Sequence, residues 1–162
     1  MKTTDDESNQ RQDKPMRILN LIVVHCSATR ANIHLTPERL DEIHRKRGFH
    51  GCGYHYYITR DGLVHAMRPI ERVGAHAKGY NAHSIGICYE GGLDGDGKAC
   101  DTRTPLQKSM LRALIASLKI QFGIDKVVGH RDLSPDLNRN GTVDPQEWVK
   151  MCPCFDVAAE QY

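Results

Sequence analysis

The sequence has no apolar run long enough to cross a membrane. A transmembrane helix needs about 18 or more consecutive apolar residues, and no window of the 162-residue chain provides them. Residues 1–17 also lack the apolar centre of a secretion signal. We therefore expect a protein without a membrane span, which is synthesised in the cytoplasm without a signal peptide.

An excess of charge of one sign is also missing. Lys and Arg number 22 against 20 Asp and Glu, which gives a formal net charge of +2. Because nucleic-acid binding depends on a basic surface that neutralises phosphates, no nucleic-acid partner is expected. The length of 162 residues is that of one domain, which can bury a core without disulfide bonds. We expect a monomer.

The six cysteines do not predict a disulfide framework. Without an export signal, the reducing cytosol favours free thiols or metal ligands over disulfide bonds. Cys88 lies in an apolar run and is interpreted as a small buried hydrophobic residue. Cys26, Cys52 and Cys100 are given the same interpretation.

The apolar pattern predicts an α/β domain with a central mixed sheet flanked by helices. Residues 1–15 are polar and without periodicity, so we expect a flexible tail followed by one domain over residues 16–162. Asp61-Gly62 between two strand-like runs predicts a hairpin turn. The predicted elements are, in order, a strand at 18–25, a helix from Thr36 to Gly48, hairpin strands at 54–58 and 63–67, a strand at 84–89, a helix from Thr104 to about Phe122, and a strand at 126–129.

The second predicted helix carries the clearer signals. Thr104 and Gln107 have the spacing of a capping box, with Pro105 in the first turn. Apolar residues then recur at helical spacing, and we expect all of them to pack in the core: Leu106, Met110, Leu111, Leu114, Ile115 and Leu118.

Three distant segments carry metal-binding side chains where strands or loops end. His25 and His130 each close an apolar run, and Cys152 lies near the C-terminus. Two imidazoles and one thiolate leave the fourth position of a tetrahedral zinc open for water, as in hydrolytic zinc sites. These residue types therefore predict a zinc hydrolase with its site at the strand ends.

Five segments, in this order, resemble a known family. They are Val24-His25-Cys26-Ser27-Ala28-Thr29, Gly53-Tyr54-His55-Tyr56-Tyr57-Ile58, Gly74-Ala75-His76-Ala77-Lys78-Gly79-Tyr80-Asn81, Ser84-Ile85-Gly86-Ile87 and Lys150-Met151-Cys152-Pro153. Together they are similar to the N-acetylmuramoyl-L-alanine amidases of the phage-lysozyme type, which share their fold with animal peptidoglycan-recognition proteins. The resemblance covers residues 21–156, nearly the whole chain after the tail.

The resemblance implies a zinc enzyme that cleaves the amide between N-acetylmuramic acid and the L-alanine of the stem peptide. It implies His25, His130 and Cys152 as zinc ligands, and Tyr54 and Lys150 as the catalytic pair. The spacing agrees, because Lys150 lies two residues before Cys152 and an extended segment points both side chains the same way. We further expect Tyr54 to start a strand.

The substrate implied by the resemblance is peptidoglycan or muropeptides. His76, in a loop of small residues, matches a histidine beside the substrate cleft of the family, and Asn81 in the same segment is predicted as a second substrate contact. His76 could equally be an ordinary loop residue. An enzyme of this kind can reach the cell wall after release from the cytoplasm, for phage lysis, or it can recycle wall fragments.

Residues 136–147 match a calcium-loop template that the resemblance does not explain. The residues fit D-x-[DN]-x-[DN]-G-x5-E at every specified position. The predicted Ca²⁺ ligands are Asp136, Asn138, Asn140, the carbonyl of Thr142 and Glu147. Alternatively, the segment is a polar turn followed by a capped short helix that contains Trp148. No helix is expected before it, since residues 130–135 are predicted as loop.

Two other functions remain open at this stage. One is a non-catalytic peptidoglycan-binding module of the same fold. The other is a calcium-responsive interaction protein whose zinc is only structural, which requires a fourth protein ligand such as Cys154. Redox motifs usually separate their cysteines by two residues, so Cys154 is interpreted as a bystander.

Overall fold

The computed structural model describes residues 17–162, and the predicted tail at residues 1–15 lies outside them. Within residues 17–162, no helix is both long and apolar enough to cross a membrane. The described part contains seven strands, two α-helices and four short 3-10 helices. The strands and α-helices are, in chain order, β1 (Leu21–Cys26), β2 (Thr29–Arg30), α1 (Pro37–Lys46), β3 (Tyr56–Ile58), β4 (Val64–Ala66), β5 (Ser84–Tyr89), β6 (Gly92–Leu93), α2 (Pro105–Phe122) and β7 (Lys126–Gly129).

Five strands form one mixed sheet, in the order β4-β3-β5-β1-β7. All neighbours are parallel except β4, which pairs antiparallel with β3 at one edge. In the pairing of β1 with β7, Val24 lies opposite Gly129. Because parallel strands end at the same edge of a sheet, His25 and His130 emerge side by side. The predicted central mixed sheet is confirmed.

The side chains of β1 alternate between two packed faces, as a strand requires. Ile22 and Val24 belong to the main core cluster, which includes Leu111 of α2. Val23 points to the other face and packs in a cluster with Ala77. His25 has the same parity as Val23, so the metal-capable side chain lies on the face opposite α2.

Helix α1 packs on the same face of the sheet as Val23, but over β3, where Leu40 belongs to a cluster with Tyr57. Helix α2 is fixed to the first face by a buried side chain as well as by apolar contacts. Gln107 donates from Nε2 to the carbonyl oxygens of Ile58 and Glu90, at 3.0 and 2.9 Å. The sheet is therefore enclosed by helices on both sides.

The predicted helix starts are correct. The Thr36 hydroxyl accepts from a backbone amide of the first turn of α1. Thr104 and Gln107 form the predicted capping box of α2, which ends at Gly123 with φ of 65°. That left-handed conformation suits glycine, which has no Cβ to clash.

Several predicted boundaries were too wide. β1 begins at Leu21 rather than at residue 18, and α1 ends at Lys46, before Gly48. The hairpin turn at Asp61-Gly62 is present, but its strands are only three residues long. A strand extends only as far as a neighbour offers hydrogen bonds, and the apolar pattern does not contain that information. Residues 130–135 were predicted as loop, yet His130–Leu133 form a 3-10 helix.

Two further predictions about burial were wrong. Leu106 and Met110 of α2 are 57% and 38% exposed, because only one face of the helix meets the sheet. Leu111, Ile115 and Leu118 are buried as expected. Among the cysteines interpreted as buried, Cys26, Cys52 and Cys88 are buried, whereas Cys100 is exposed.

Candidate metal centre and active site

Three potential metal ligands, carried by two strand ends and one C-terminal segment, lie close together. The rings of His25 and His130 have centroids 4.6 Å apart. The Arg131 amide donates to the Cys152 carbonyl at 2.8 Å, and the Cys26 amide donates to the Cys152 sulfur at 3.2 Å. The donor atoms of His25, His130 and Cys152 all lie within 4.8 Å of one another. The three predicted ligands therefore form one group.

The spacing of these donors fits a tetrahedral zinc ion. His25 Nδ1 lies 3.7 Å from the sulfur of Cys152. With Zn–N near 2.0 Å and Zn–S near 2.3 Å, tetrahedral geometry separates the two donors by about 3.5 Å. Within the described residues, no fourth His, Cys, Asp or Glu joins the group. Three donors leave one coordination position for water or substrate.

The other nitrogen of the His25 ring is held by His76. His25 Nε2 and His76 Nδ1 are 2.9 Å apart, and His76 Nε2 is 3.2 Å from the Ser84 hydroxyl. A metal-bound imidazole usually donates its second N–H to such a partner, which fixes its tautomer and orientation. Gly86 makes room for this arrangement, since a Cβ there would lie 2.6 Å from the His76 ring.

The three imidazoles are held in the neutral form. Burial keeps the pKa of His25 well below its ordinary value, and the neighbouring basic groups His76, His130 and Lys150 further disfavour a positive charge on its ring. Burial lowers the pKa of His130 to about 4, with a smaller effect of Lys150. Burial also lowers the pKa of His76 to about 3. A neutral imidazole is the form that binds a metal.

Tyr54 packs beside the metal group. Its ring centroid is 5.0 Å from that of His25. Tyr54 does not start a strand as predicted, because β3 begins only at Tyr56. Burial, assisted by the Cys88 thiol, holds the pKa of Tyr54 well above its usual range. The phenol therefore keeps its proton and can act as a hydrogen-bond donor.

Lys150 lines a cleft that reaches two members of the metal group, His130 and Cys152. The segment around it is not helical, and its side chain is exposed. The cleft has a volume of about 520 Å³. Lys150 lines it together with Tyr54, His130 and Cys152. The predicted catalytic pair thus shares one cavity with two members of the metal group.

A second cavity of about 260 Å³ continues from the first, and both are lined by His76, Lys78 and Lys150. Part of its wall is apolar and is formed by Leu133 and Val149. The larger cleft carries three cationic residues, Arg47, Lys78 and Lys150. Among the described residues, no Asp or Glu lines either cavity. The site is therefore suited to an anionic ligand with an apolar portion.

His76 and Asn81 both line the larger cleft, so contact with a substrate stays a prediction for each. Their hydrogen bonds reveal supporting roles that the sequence did not indicate. The Asn81 carboxamide oxygen accepts from the amides of His76 and Ala77, both at 2.9 Å, and so shapes the loop. Ser84 was also missed, although it lies in a quoted family segment and shares its strand face with Gly86.

Cys154 does not belong to the metal group. Its sulfur lies 3.8 Å from that of Cys26. The interpretation of Cys154 as a bystander to the zinc ligands agrees with this placement.

The predicted calcium loop lies between the second and third metal-capable residues. Gly141 at its turn has φ of 89°. Glu147 is buried and accepts hydrogen bonds from the amides of Leu137, Asn138 and Asp144. Asp144 and Glu147 form a capping box for a 3-10 helix at Pro145–Glu147, as the alternative interpretation predicted, although this helix ends before Trp148.

The fold and the site together define a class of protein. This chain combines a mixed sheet enclosed by two helices with a His-His-Cys group at the sheet edge, and its fold matches solved structures of an amidase and of a peptidoglycan-recognition protein. The profile of one family, described as N-acetylmuramoyl-L-alanine amidase, matches residues 14–147. The chain belongs to this family.

Individual relatives agree with that assignment. The endolysin of Klebsiella phage KP32 is 38% identical over 84% of this chain and 81% of its own length. The solved structure of the N-acetylmuramoyl-L-alanine amidase LysC from Clostridium intestinale has 33% identity and a TM-score of 0.68, and the match covers 88% of this chain and 81% of LysC. Drosophila PGRP-LB matches with 25% identity and a TM-score of 0.63, over 85% of this chain and 76% of that one.

Proposed function

We propose that this chain is a zinc-dependent peptidoglycan amidase that cleaves the bond between N-acetylmuramic acid and the L-alanine of the stem peptide. Amidase activity follows from membership of the family. The observation that carries the zinc assignment is the group of three donors, His25, His130 and Cys152, two of which, His130 and Cys152, line an open cleft. A zinc ion held there supplies Lewis acidity and a water that ionises near neutral pH.

Lys150 is the proposed electrophilic partner in this reaction. Its ammonium group lines the same cleft as His130 and Cys152. Attack on an amide carbonyl places negative charge on the oxygen, and a preformed cation beside that oxygen stabilises the transition state. We assign this role to Lys150.

Tyr54 is the proposed donor that orients the reacting groups. Its phenol stays protonated because burial raises its pKa, and its ring packs against that of His25. A hydroxyl in this position can hydrogen-bond the attacking water or the carbonyl oxygen. His76 acts one step further away, since it touches the His25 ring rather than the reacting atoms.

The charge of the cleft supports an anionic substrate. Stem peptides of peptidoglycan carry free carboxylates, and Arg47 and Lys78 line the larger cleft. The apolar cavity around Leu133 and Val149 offers a surface for the less charged sugar portion. We infer that the stem peptide occupies the cationic cleft and that the glycan extends towards the apolar cavity.

Lysis of a cell wall is the proposed biological setting. Several relatives are endolysins of bacteriophages, among them those of phages KP32 and T3. An endolysin acts on the wall after release from the cytoplasm, which is the localisation proposed for this chain. Activity on intact wall sacculi supports lysis, whereas activity restricted to small soluble muropeptides supports recycling of wall fragments.

Binding without catalysis is the second candidate function. It is suggested by the similarity to Drosophila peptidoglycan-recognition protein LB, whose name refers to recognition of peptidoglycan. Retention of Tyr54 and Lys150 beside the complete donor group argues against it, because binding alone does not require them. A purely structural zinc in a calcium-responsive protein is disfavoured, since Cys154 lies outside the donor group.

A comparison of binding with hydrolysis tests the proposal. Wild-type protein should contain one zinc per chain and should release soluble fragments from purified peptidoglycan. Cys152→Ala should lose zinc and hydrolysis, while Cys154→Ser, two positions away, should keep both. If the wild-type protein sediments with peptidoglycan but releases no fragments, the binding module is the better description.

A further inference from the structure

The loop at residues 136–147 has no part in the amidase site, although it matches a calcium-binding template at every specified position. We propose that this loop binds one Ca²⁺ ion. The ligands are the side-chain oxygens of Asp136, Asn138, Asn140 and Glu147 and the backbone carbonyl of Thr142. This site is separate from the zinc site, and it stands whether or not the amidase mechanism is correct.

A buried carboxylate oxygen provides an observation that is independent of the template. Oδ1 of Asp136 is shut off from solvent and has no hydrogen-bond partner among residues 17–162. The other oxygen, Oδ2, accepts from the Gly141 amide at 2.9 Å, which turns the carboxylate into the loop. A buried charged oxygen without a partner is unfavourable. A cation at the centre of the loop supplies the missing partner.

The two asparagines present their oxygens to the same loop. The Nδ2 atoms of Asn138 and Asn140 both donate to the Asp144 carboxylate, at 3.0 and 2.9 Å. Their Oδ1 atoms accept from backbone amides within the loop, Asn138 from Asn140 and Asn140 from Thr142, both at 2.9 Å. Oxygen atoms of amides, carboxylates and carbonyls are the ligands that Ca²⁺ prefers.

The charge of the loop favours a divalent cation. It contains three carboxylates, Asp136, Asp144 and Glu147, against a single cationic side chain, Arg139. Among the described residues, none of these three carboxylates takes part in an ion pair. Glu147 already accepts from three backbone amides, but its two oxygens offer about four acceptor sites. Ca²⁺ can thus be coordinated by the Glu147 carboxylate without loss of its hydrogen bonds to the three backbone amides.

The loop is tied to the amidase site at both of its ends. The Val149 amide donates to the Ser134 hydroxyl at 3.0 Å. The Arg131 guanidinium stacks on the Trp148 ring, 3.9 Å from its centroid. Both flanks also line the apolar cavity next to the metal group. Calcium binding should therefore stabilise the segment that carries Lys150 and Cys152.

The position of Trp148 allows a direct test. Trp148 is the only tryptophan in the sequence, and it follows Glu147. Tb³⁺ is a hard cation that takes the oxygen ligands of Ca²⁺, and it emits when a nearby indole is excited. Titration of the zinc-loaded full chain with Tb³⁺ should give saturable emission through Trp148 at one ion per chain. Ca²⁺ should displace Tb³⁺, and Ca²⁺ alone should raise the Tm with concentration.

Variants distinguish Ca²⁺ binding at the loop from nonspecific binding of Ca²⁺ to acidic residues elsewhere on the surface. Asp136→Asn should weaken Ca²⁺ binding by about tenfold or more, because fewer ligand charges lower the affinity of such loops. Asp96→Asn is the matched control, since Asp96 lies in another exposed acidic turn, where Asp94 accepts from the Asp96 amide. If Asp136→Asn does not fold, Asn138→Ala at an exposed position serves instead.

The possible results separate clearly. Loss of Tb³⁺ emission and of the Ca²⁺-dependent Tm shift in Asp136→Asn or Asn138→Ala, with both kept in Asp96→Asn, establishes the site. Absence of saturable Tb³⁺ emission and of a Tm shift at millimolar Ca²⁺ in the wild-type chain overturns the proposal. Equal losses in the loop variants and the control overturn it as well. Amidase assays are not needed for either decision.

Discussion

His76 connects a metal-capable residue to the core of the sheet. Its ring bridges His25 and the Ser84 hydroxyl, and Gly86 leaves the space in which it lies. The resemblance to the family implied a histidine beside the cleft but not this bridge. The bridge requires that Ser84 and Gly86 of β5 face the loop that carries His76. Tertiary packing determines which face of β5 meets this loop.

Removal of His76 should weaken the metal site while the fold is kept. We expect His76→Ala to lower zinc affinity by about 10- to 100-fold, the usual effect of losing the partner of a metal-bound imidazole. Competition with a chromogenic chelator measures this affinity. His50→Ala, at an exposed position on the chain, is the control and should bind zinc as the wild type does. Unchanged affinity in His76→Ala would show that the bridge has no effect on the metal.

Lys150 and Tyr54 should affect turnover rather than metal content. Neither residue belongs to the donor group, so Lys150→Ala and Tyr54→Phe should keep one zinc per chain. Loss of one preformed donor to an oxyanion typically lowers turnover by about a hundredfold or more. Steady-state hydrolysis of a soluble muropeptide, with metal analysis of the same samples, measures both effects. Wild-type turnover in both variants would leave the metal as the sole catalytic group.

At the level of elements, local sequence signals predicted which helices and strands are present. They predicted the first and last residues of these elements less accurately. Thr104 and Gln107 identified the start of α2, because a capping box depends only on neighbouring residues. The face of α2 that packs against the sheet was harder to predict. Leu106 and Met110 follow the helical spacing yet are exposed, since the position of the sheet relative to the helix is a tertiary property.

Leu111 and Leu106 of α2 differ in burial, so their replacement by alanine should change the free energy of unfolding by different amounts. Leu111 is fully buried, so Leu111→Ala should lower the free energy of unfolding by about 2–5 kcal/mol. Leu106 is 57% exposed, so Leu106→Ala should change it by about 0.5 kcal/mol or less. Urea denaturation of both variants, with zinc bound, gives the comparison. Equal losses would mean that α2 is packed differently.

At the level of the whole molecule, the site depends on contacts between segments that are far apart in sequence. His25, His130 and Cys152 were selected by residue type and by resemblance to the family. Their convergence requires the register of β1 with β7, in which Val24 lies opposite Gly129. It also requires the hydrogen bond from Arg131 to Cys152. Neither feature can be derived from apolar periodicity, which predicted the fold class but not the pairing.

The combination of residues that lines the cleft could not be predicted from the sequence either. Arg47 and Lys78 line it together with Lys150, although they belong to separate segments of the chain. Two of these three cations received no role from the sequence, because isolated basic residues are usually solvated surface groups. Their meeting in one cavity without an acidic side chain, among the described residues, is what favours an anionic substrate.

We propose that this chain hydrolyses one particular bond of peptidoglycan, and mass spectrometry of the reaction products identifies the bond that is cleaved. Purified peptidoglycan is digested with the zinc-loaded protein, and the soluble products are compared with those left by Cys152→Ala. We expect free stem peptides that begin with an unblocked L-alanine, together with glycan chains whose muramic acid ends in a free lactyl carboxylate. The variant should give neither product. Cleavage within the glycan or between amino acids of the peptide, or no cleavage at all by the wild-type protein, would contradict this proposal.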